Sequence, residues 1–542
     1  MPQFDSLTYR YTSRRNVVYA QNAMACTSVP LGAQIGLDIM KAGGNAMDAA
    51  VAMAAAMPLL EPTGNGLGSD CFALVWIEKE QKLYGLNASG VAPMALNAQI
   101  VRSLGYDAMP KEGWLPTMVP GAPAGWAALN GRFGTKPLSE LFAPAIGYAQ
   151  NGYPVPVNVA RQWKKDSQRI AQAMQNNAAP HEYWWSCFMK PDGSPYHAGE
   201  IFRFPDYAKT LQTLADTNCE SYYRGELMKK IVAFSQKTGG FFCEQDFQNY
   251  HPEWVQPITQ DYRGYTVCEI PPNGHGITVL MALGILNGLA MPQHRECAEH
   301  YHMVMEAIKL AFADTKTYVA DPRYMQTKVS ELLDPAYLAK RRALITNHAL
   351  QPQAGDPHCG GTIYLCTADR EGNMVSLIQS NYTTFGSGVA VPGTGISLQN
   401  RGANFSLEET SDNCLQGGKK SYHTIIPGFL LKNGKAVGPF GVMGAFMQPQ
   451  GQTEVIVNTL DYHMNPQEAL DAPRIQWIGG KKLQLEREAG EQIAEQLRAM
   501  GHEVEMVDDR INMGRGQIIW RCENGVLAAG TEPRCDGCAA AW

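Results

Sequence analysis

The chain has 542 residues, 45% hydrophobic and 18% charged, enough to bury a large core in one intertwined unit or two modest domains. Its 45 basic and 51 acidic side chains give a net charge of −6 without a Lys/Arg cluster, which argues against a nucleic-acid partner. The opening MPQFDSLTYRYTSRRNVVYAQ lacks a secretory apolar core, and the most apolar runs (49–60 and 277–291) fall short of the roughly 20 residues of a membrane span. A soluble cytoplasmic protein with no membrane contact is expected.

In chain order, residues 31–60 predict two helices broken at Gly43-Gly44, the second so rich in alanine that close interior packing is expected. EPTGNGLGSD then reads as a glycine loop and CFALVWIEKEQKLYGLNAS as a hairpin. From about 125 to 350 the periodicity is mainly helical. There, His300 and His302 stand at i and i+2 and share no helix face, which makes them structural. After 362 short apolar strands alternate with Gly, Asn and Asp turns, with helices near 466–472 and 489–500. Helices and strands are abundant and partly segregated, an α+β layered architecture. The 13 cysteines are scattered and odd in number, so reduced, mostly buried thiols are expected. Cys535 and Cys538 form a lone CxxC with no second pair at zinc spacing, and no phosphate-binding glycine loop follows a strand. No metal and no cofactor is expected.

Residues 358–388, HCGGTIYLCTADREGNMVSLIQSNYTTFGSG, pose the chemical question. Strands 362–368 and 374–380 joined by DREGN make a hairpin whose opposed residues sum to 742: Ala368 with Met374, Tyr364 with Ile378, Thr362 with Ser380. Opposed Cβ atoms lie about 4.5–5.5 Å apart on one face, so two hydroxyls meet at the strand start. An ordinary Thr–Ser sheet pair is one reading. The other is nucleophilic: a threonine made N-terminal carries its own base, an α-amine of pKa about 7.7–8.0. Cutting between Gly361 and Thr362 would create it, and Gly360-Gly361 supplies backbone freedom for that attack.

Seven stretches carry a resemblance: AGGNAMDAAVA, LEPTGNGLGSD, VPGAPAGW, PPNGHGITVLMALGIL, KLAFADTKTYVADPR, GTIYLCTADREGNMVS and NYTTFGSG. Together they resemble the γ-glutamyltranspeptidase family of N-terminal nucleophile hydrolases over nearly the whole chain. The resemblance implies a four-layer αββα fold and a precursor that cleaves itself into a large subunit, 1–361, and a small subunit, 362–542. The two stay intertwined, and a homodimer of such pairs is one assembly it allows. Thr362 becomes the nucleophile and Ser380 its second hydroxyl, a place the family normally fills with threonine. The oxyanion hole falls on the N–H groups of Gly444 and Ala445, where alanine replaces the second glycine. His423 and Thr424 replace a serine pair, with a buried structural histidine the alternative for His423.

The contacts to a glutamyl amino acid depart from the family. Ser89 stands at the arginine position, Asn404 at the acid, Tyr382 at an asparagine and Arg401 at a glutamine. The amide-cutting machinery is kept while the grip on a zwitterion is lost, and Arg401 offers a bidentate site for one carboxylate. This favours a small-molecule amide bearing one carboxylate, as in the family's oxamate amidohydrolase branch, which yields oxalate and ammonia in purine catabolism. γ-Glutamyl transfer or glutathione hydrolysis with altered contacts, a larger-acyl acylase, and a catalytically silent scaffold are the alternatives.

Overall fold

The computed structural model describes residues 15–352 and 362–542, so Gly360 and Gly361 lie outside the described residues. Two seven-stranded sheets face each other. One runs in the order 538–541, 24–27, 363–368, 374–380, 70–77, 82–88, 253–255, and the other 18–20, 527–531, 515–521, 435–443, 428–432, 265–269, 258–262. Both sheets draw strands from either side of Thr362, so neither half of the chain could complete a sheet alone.

Three apolar cores separate four layers. Phe72, Leu74, Trp76, Tyr364, Ile378, Phe429 and Ile519 fill the space between the sheets. The Ala46–Leu60 helix packs on the outer face of the first sheet, and helices Gly276–Leu286 and Met447–Leu460 on that of the second. This is the αββα arrangement the family resemblance implies, and a specific form of the α+β layers read from the residue pattern.

The alanine helix is buried along its whole length. It starts at a capping box in which Asn45 accepts from Met47 and Asp48 N–H while the Asp48 carboxylate accepts from Asn45 N–H at 3.0 Å. Small side chains let it lie directly on strands 363–368 and 374–380, fixing the hairpin from behind. The expected hairpin after the glycine loop is strands Asp70–Ile77 and Lys82–Ala88.

One element departs from expectation. After 362 the sequence indicates helices near 466–472 and 489–500, and Met447–Leu460 is a further helix that it does not indicate. Its sequence, MQPQGQTEVIVNTL, hides this behind a proline, a glycine and a β-branched run. Pro449 sits in the first turn, where a missing N–H costs nothing. The buried glutamines serve the surrounding backbone: Gln448 Oε1 accepts from Ile426 N–H at 3.0 Å, and Gln452 Nε2 donates to Ile426 O at 2.7 Å. Tertiary hydrogen bonding, absent from any local pattern, stabilises this polar helix.

Candidate active site

The hairpin register is the one the sequence predicts: Ala368 pairs with Met374, Tyr364 with Ile378 and Ile363 with Gln379. Continuing it brings Thr362 to Ser380, and their hydroxyl oxygens lie 2.9 Å apart in a buried environment. Ser380 Oγ also accepts from Tyr382 N–H at 2.7 Å, which fixes its lone pairs. The glycine loop presses on this point. A Cβ on Gly64 would stand 3.2 Å from the Thr362 carbonyl oxygen and 3.0 Å from Ile363 Cγ2, so the side-chain-free residue permits the close approach.

Strand 435–443 ends at Gly444 and Ala445, with φ of 134° and 51°, and the Met447–Leu460 helix begins just beyond. Their carbonyls accept from Met447 and Gln448 N–H. Among the described residues neither of their own N–H groups has an acceptor. Two adjacent free N–H donors at a helix N-terminus suit a developing oxyanion. Ala445→Pro removes one donor and cannot adopt φ 51°, so kcat should fall by about a hundredfold or more. Ala445→Gly keeps the N–H and should stay active, which steady-state kinetics on the two variants would check.

The remaining predicted residues fall into three groups. Arg401 is fully buried in a 3₁₀ turn (Arg401–Asn404). Its Nη1 donates to Thr424 Oγ1 at 2.6 Å, and its guanidinium lies 4.6 Å from the centre of the Tyr382 ring. Nε and Nη2 have no partner among the described residues, and Asn404 Nδ2, Asn381 Nδ2, Gln399 Nε2 and Gln448 Nε2 are likewise unpaired. All six are donors. Burial pulls the Arg401 pKa down to about 10 against the pull of Asp70 and Tyr382, which still leaves it charged at neutral pH. Tyr382 itself sits at φ 76°, a left-handed conformation costly for an aromatic residue.

His423 forms the second group. Its Nδ1 accepts from Ile425 N–H at 3.3 Å, so Nε2 carries the proton and donates to Asp70 Oδ2 at 3.0 Å. Burial, and then the Arg401 charge, hold its pKa well below the usual histidine range, so the ring is neutral. Ser89, the third, donates to Asn87 Oδ1 at 2.8 Å and lies within a buried cluster with Asn273. It is a satisfied structural hydroxyl beside the site. Asp70 and His275 were missed by sequence reading. His275 Nε2 meets Thr424 O at 2.9 Å, and burial lowers its pKa to about 3. No local signal marks Asp70, whose place opposite Ser380 in the neighbouring strand exists only in the folded sheet.

His302 has partners that its spacing from His300 concealed. Its Nδ1 lies 2.8 Å from His502 Nε2, and Glu306, one turn on, lies 3.7 Å from the same His502 nitrogen. Lys309 Nζ bonds Leu350 O at 2.9 Å and pairs with Glu306 at 2.5 Å, so a resident ammonium already neutralises this carboxylate. Cys535 and Cys538 are free thiols, as is every described cysteine. No helix among the described residues is long and apolar enough to cross a membrane.

Residues 32–542 match the family model described as gamma-glutamyltranspeptidase. The Glutathione hydrolase-like YwrD proenzyme of Bacillus subtilis is 34% identical over 94% of this chain and 96% of its own length. The Oxamate amidohydrolase proenzyme of Klebsiella pneumoniae is 33% identical over 96% of this chain and 98% of its own. A crystal structure of cephalosporin acylase from Bacillus halodurans superposes with a TM-score of 0.95 at 52% identity, covering 100% of this chain and 99% of that one. The match runs along nearly the whole chain in both sequence and fold, and the chain belongs to the gamma-glutamyltranspeptidase family of amide-cleaving N-terminal nucleophile hydrolases.

Proposed function

We propose that this chain is a precursor that cuts itself before Thr362 and then hydrolyses a short amide whose acyl part carries a carboxylate, with oxamate the leading substrate. The observation that carries the reading is Arg401, buried and charged with Nε and Nη2 unpaired among the described residues. Unmet donors in a buried space favour an anion. The buried positions of Thr362, Ser380, Arg401 and Tyr382 favour a compact one.

In processing, Thr362 Oγ1 attacks the Gly361 carbonyl carbon, the C–N bond breaks, and the chain passes to the oxygen as an ester. Water then cleaves the ester to leave the Gly361 carboxylate and the Thr362 α-amine. In turnover the same oxygen attacks the substrate amide while the α-amine takes its proton. The Gly444 and Ala445 N–H groups receive the oxyanion. The amine proton passes to the departing nitrogen, which for oxamate leaves as ammonia, and water releases oxalate from the acyl-enzyme. Ser380 steers Oγ1 throughout. Ser380→Ala should keep the fold and slow both steps about 2- to 12-fold, the worth of one net hydrogen bond of about 0.5–1.5 kcal/mol. Processing half-life and kcat measure it, and a fully active variant would remove Ser380 from the mechanism.

The Klebsiella relative, named for oxamate, supports this reading. The 52% identity with a cephalosporin acylase supports a second one, release of the acyl group from a cephalosporin amide. The deciding assay gives processed enzyme oxamate, glutathione and an N-acyl cephalosporin, and follows ammonia, glutamate and the freed cephalosporin amine. The highest kcat/KM for oxamate is expected. The highest for glutathione would restore γ-glutamyl chemistry, and for the cephalosporin would establish the acylase reading.

A further inference from the structure

Asp70 lies outside the steps just described, yet it stands in line with them. Ser380 is the register partner of Asp70, and the adjoining ladder places Thr362 opposite Ser380. Opposed residues share a face, so two hydroxyls and a carboxylate form one row across three strands, on the side facing the second sheet.

The carboxylate is buried and held at both oxygens: Oδ1 accepts from Gly90 N–H at 3.0 Å and Oδ2 from His423 Nε2–H at 3.0 Å. The titratable and charged groups around it are Arg401, Lys420, His423, Tyr222, Tyr250 and the adjoining Cys71, whose thiol burial keeps neutral, joined after processing by the Thr362 α-amine. Lys420 is matched by Glu253 at 2.8 Å. Burial keeps the two phenols and the imidazole neutral. Arg401 and Asp70 are thus left as each other's counter-charges. An anion arriving at Arg401 puts two negative charges against one guanidinium in a space shielded from water, and the costlier state is relieved by protonating one of them.

We propose that Asp70 sets the charge specificity of the site: an anionic acyl group docks on Arg401 with Asp70 protonated, the carboxylate taking one proton from solvent where it is ionised, while a neutral acyl group docks with no change in Asp70's ionisation. This rests on the reading that Arg401 receives the acyl carboxylate. The linkage has a sign. Burial holds Asp70 near a pKa of about 7, so below pH 7 the proton is already in place, and above it anion binding must recruit one.

The test compares oxamate with oxamide, its neutral isostere with the same scissile amide, on processed wild-type enzyme from pH 6 to 8.5. The ratio of their kcat/KM values cancels the titration of the α-amine, which both substrates need. That ratio should fall about 30-fold across the range in the wild type and stay flat in Asp70→Asn. A flat wild-type ratio overturns the proposal, as does a fall that persists in Asp70→Asn. The wild-type profile decides alone if that variant does not process. Oxamate cleaved no better than oxamide even at pH 6, or neither cleaved, defeats the Arg401 reading and this proposal with it. A strong preference for oxamate at pH 6 that does not change with pH defeats the Asp70 proposal alone.

Discussion

Thr362→Ala is expected to remain a full-length chain with no detectable amidase activity, because in the proposed mechanism one hydroxyl serves both the self-cleavage and the turnover. The substitution removes only a buried hydroxyl and a methyl from a strand end whose ladder begins at Ile363, so the fold should persist with an unchanged circular dichroism spectrum. The loss should be close to complete, since the hydroxyl removed is the one that lies 2.9 Å from Ser380 Oγ. Thr362→Ser separates the roles: it keeps the oxygen and should process and turn over more slowly, the methyl no longer fixing the rotamer. Processing that continued in Thr362→Ala would mean that another residue attacks the junction.

Arg401→Met carries the second large effect. A carboxylate gripped by a buried guanidinium is held alike in ground and transition states, so KM for oxamate should rise while kcat changes little. Truncating one partner of a buried, hydrogen-bonded charge pair costs about 2–5 kcal/mol, or roughly 30- to several-thousand-fold in KM. Arg401→Lys keeps the charge but loses the fork and should recover only part of the affinity. Initial rates against oxamate concentration read both. A fall in kcat at constant KM would instead make Arg401 part of transition-state stabilisation.

The neighbourhood of Thr362 was legible because strand pairing is arithmetic. A five-residue turn between two alternating strands sets every opposed pair, so the Thr362–Ser380 contact follows from sequence spacing. Gly444 and Ala445 were legible only through family likeness, since paired free N–H groups leave no mark on side-chain pattern. The Met447–Leu460 helix was hidden because its stability comes from glutamines bonded to distant backbone. Asp70 was hidden for the opposite reason. It reads as a loop-ending acid, and its importance arises from His423, 353 positions away, and from the buried charge of Arg401. Ser89, at the position of the family's arginine, is bonded to its neighbours Asn87 and Asn273, the latter a contact between segments far apart in the chain that spacing does not indicate. His302 likewise found its partner in His502, which no local spacing could indicate.

The central claim is that Thr362 acts as an N-terminal nucleophile, and intact-mass spectrometry of the purified protein under denaturing conditions tests it most directly. The account predicts two chains, residues 1–361 and 362–542, the smaller beginning with Thr362 and shifting by the mass of the acyl group when quenched during turnover. A small chain that begins at another residue, or a fully active protein that remains a single chain, would contradict it.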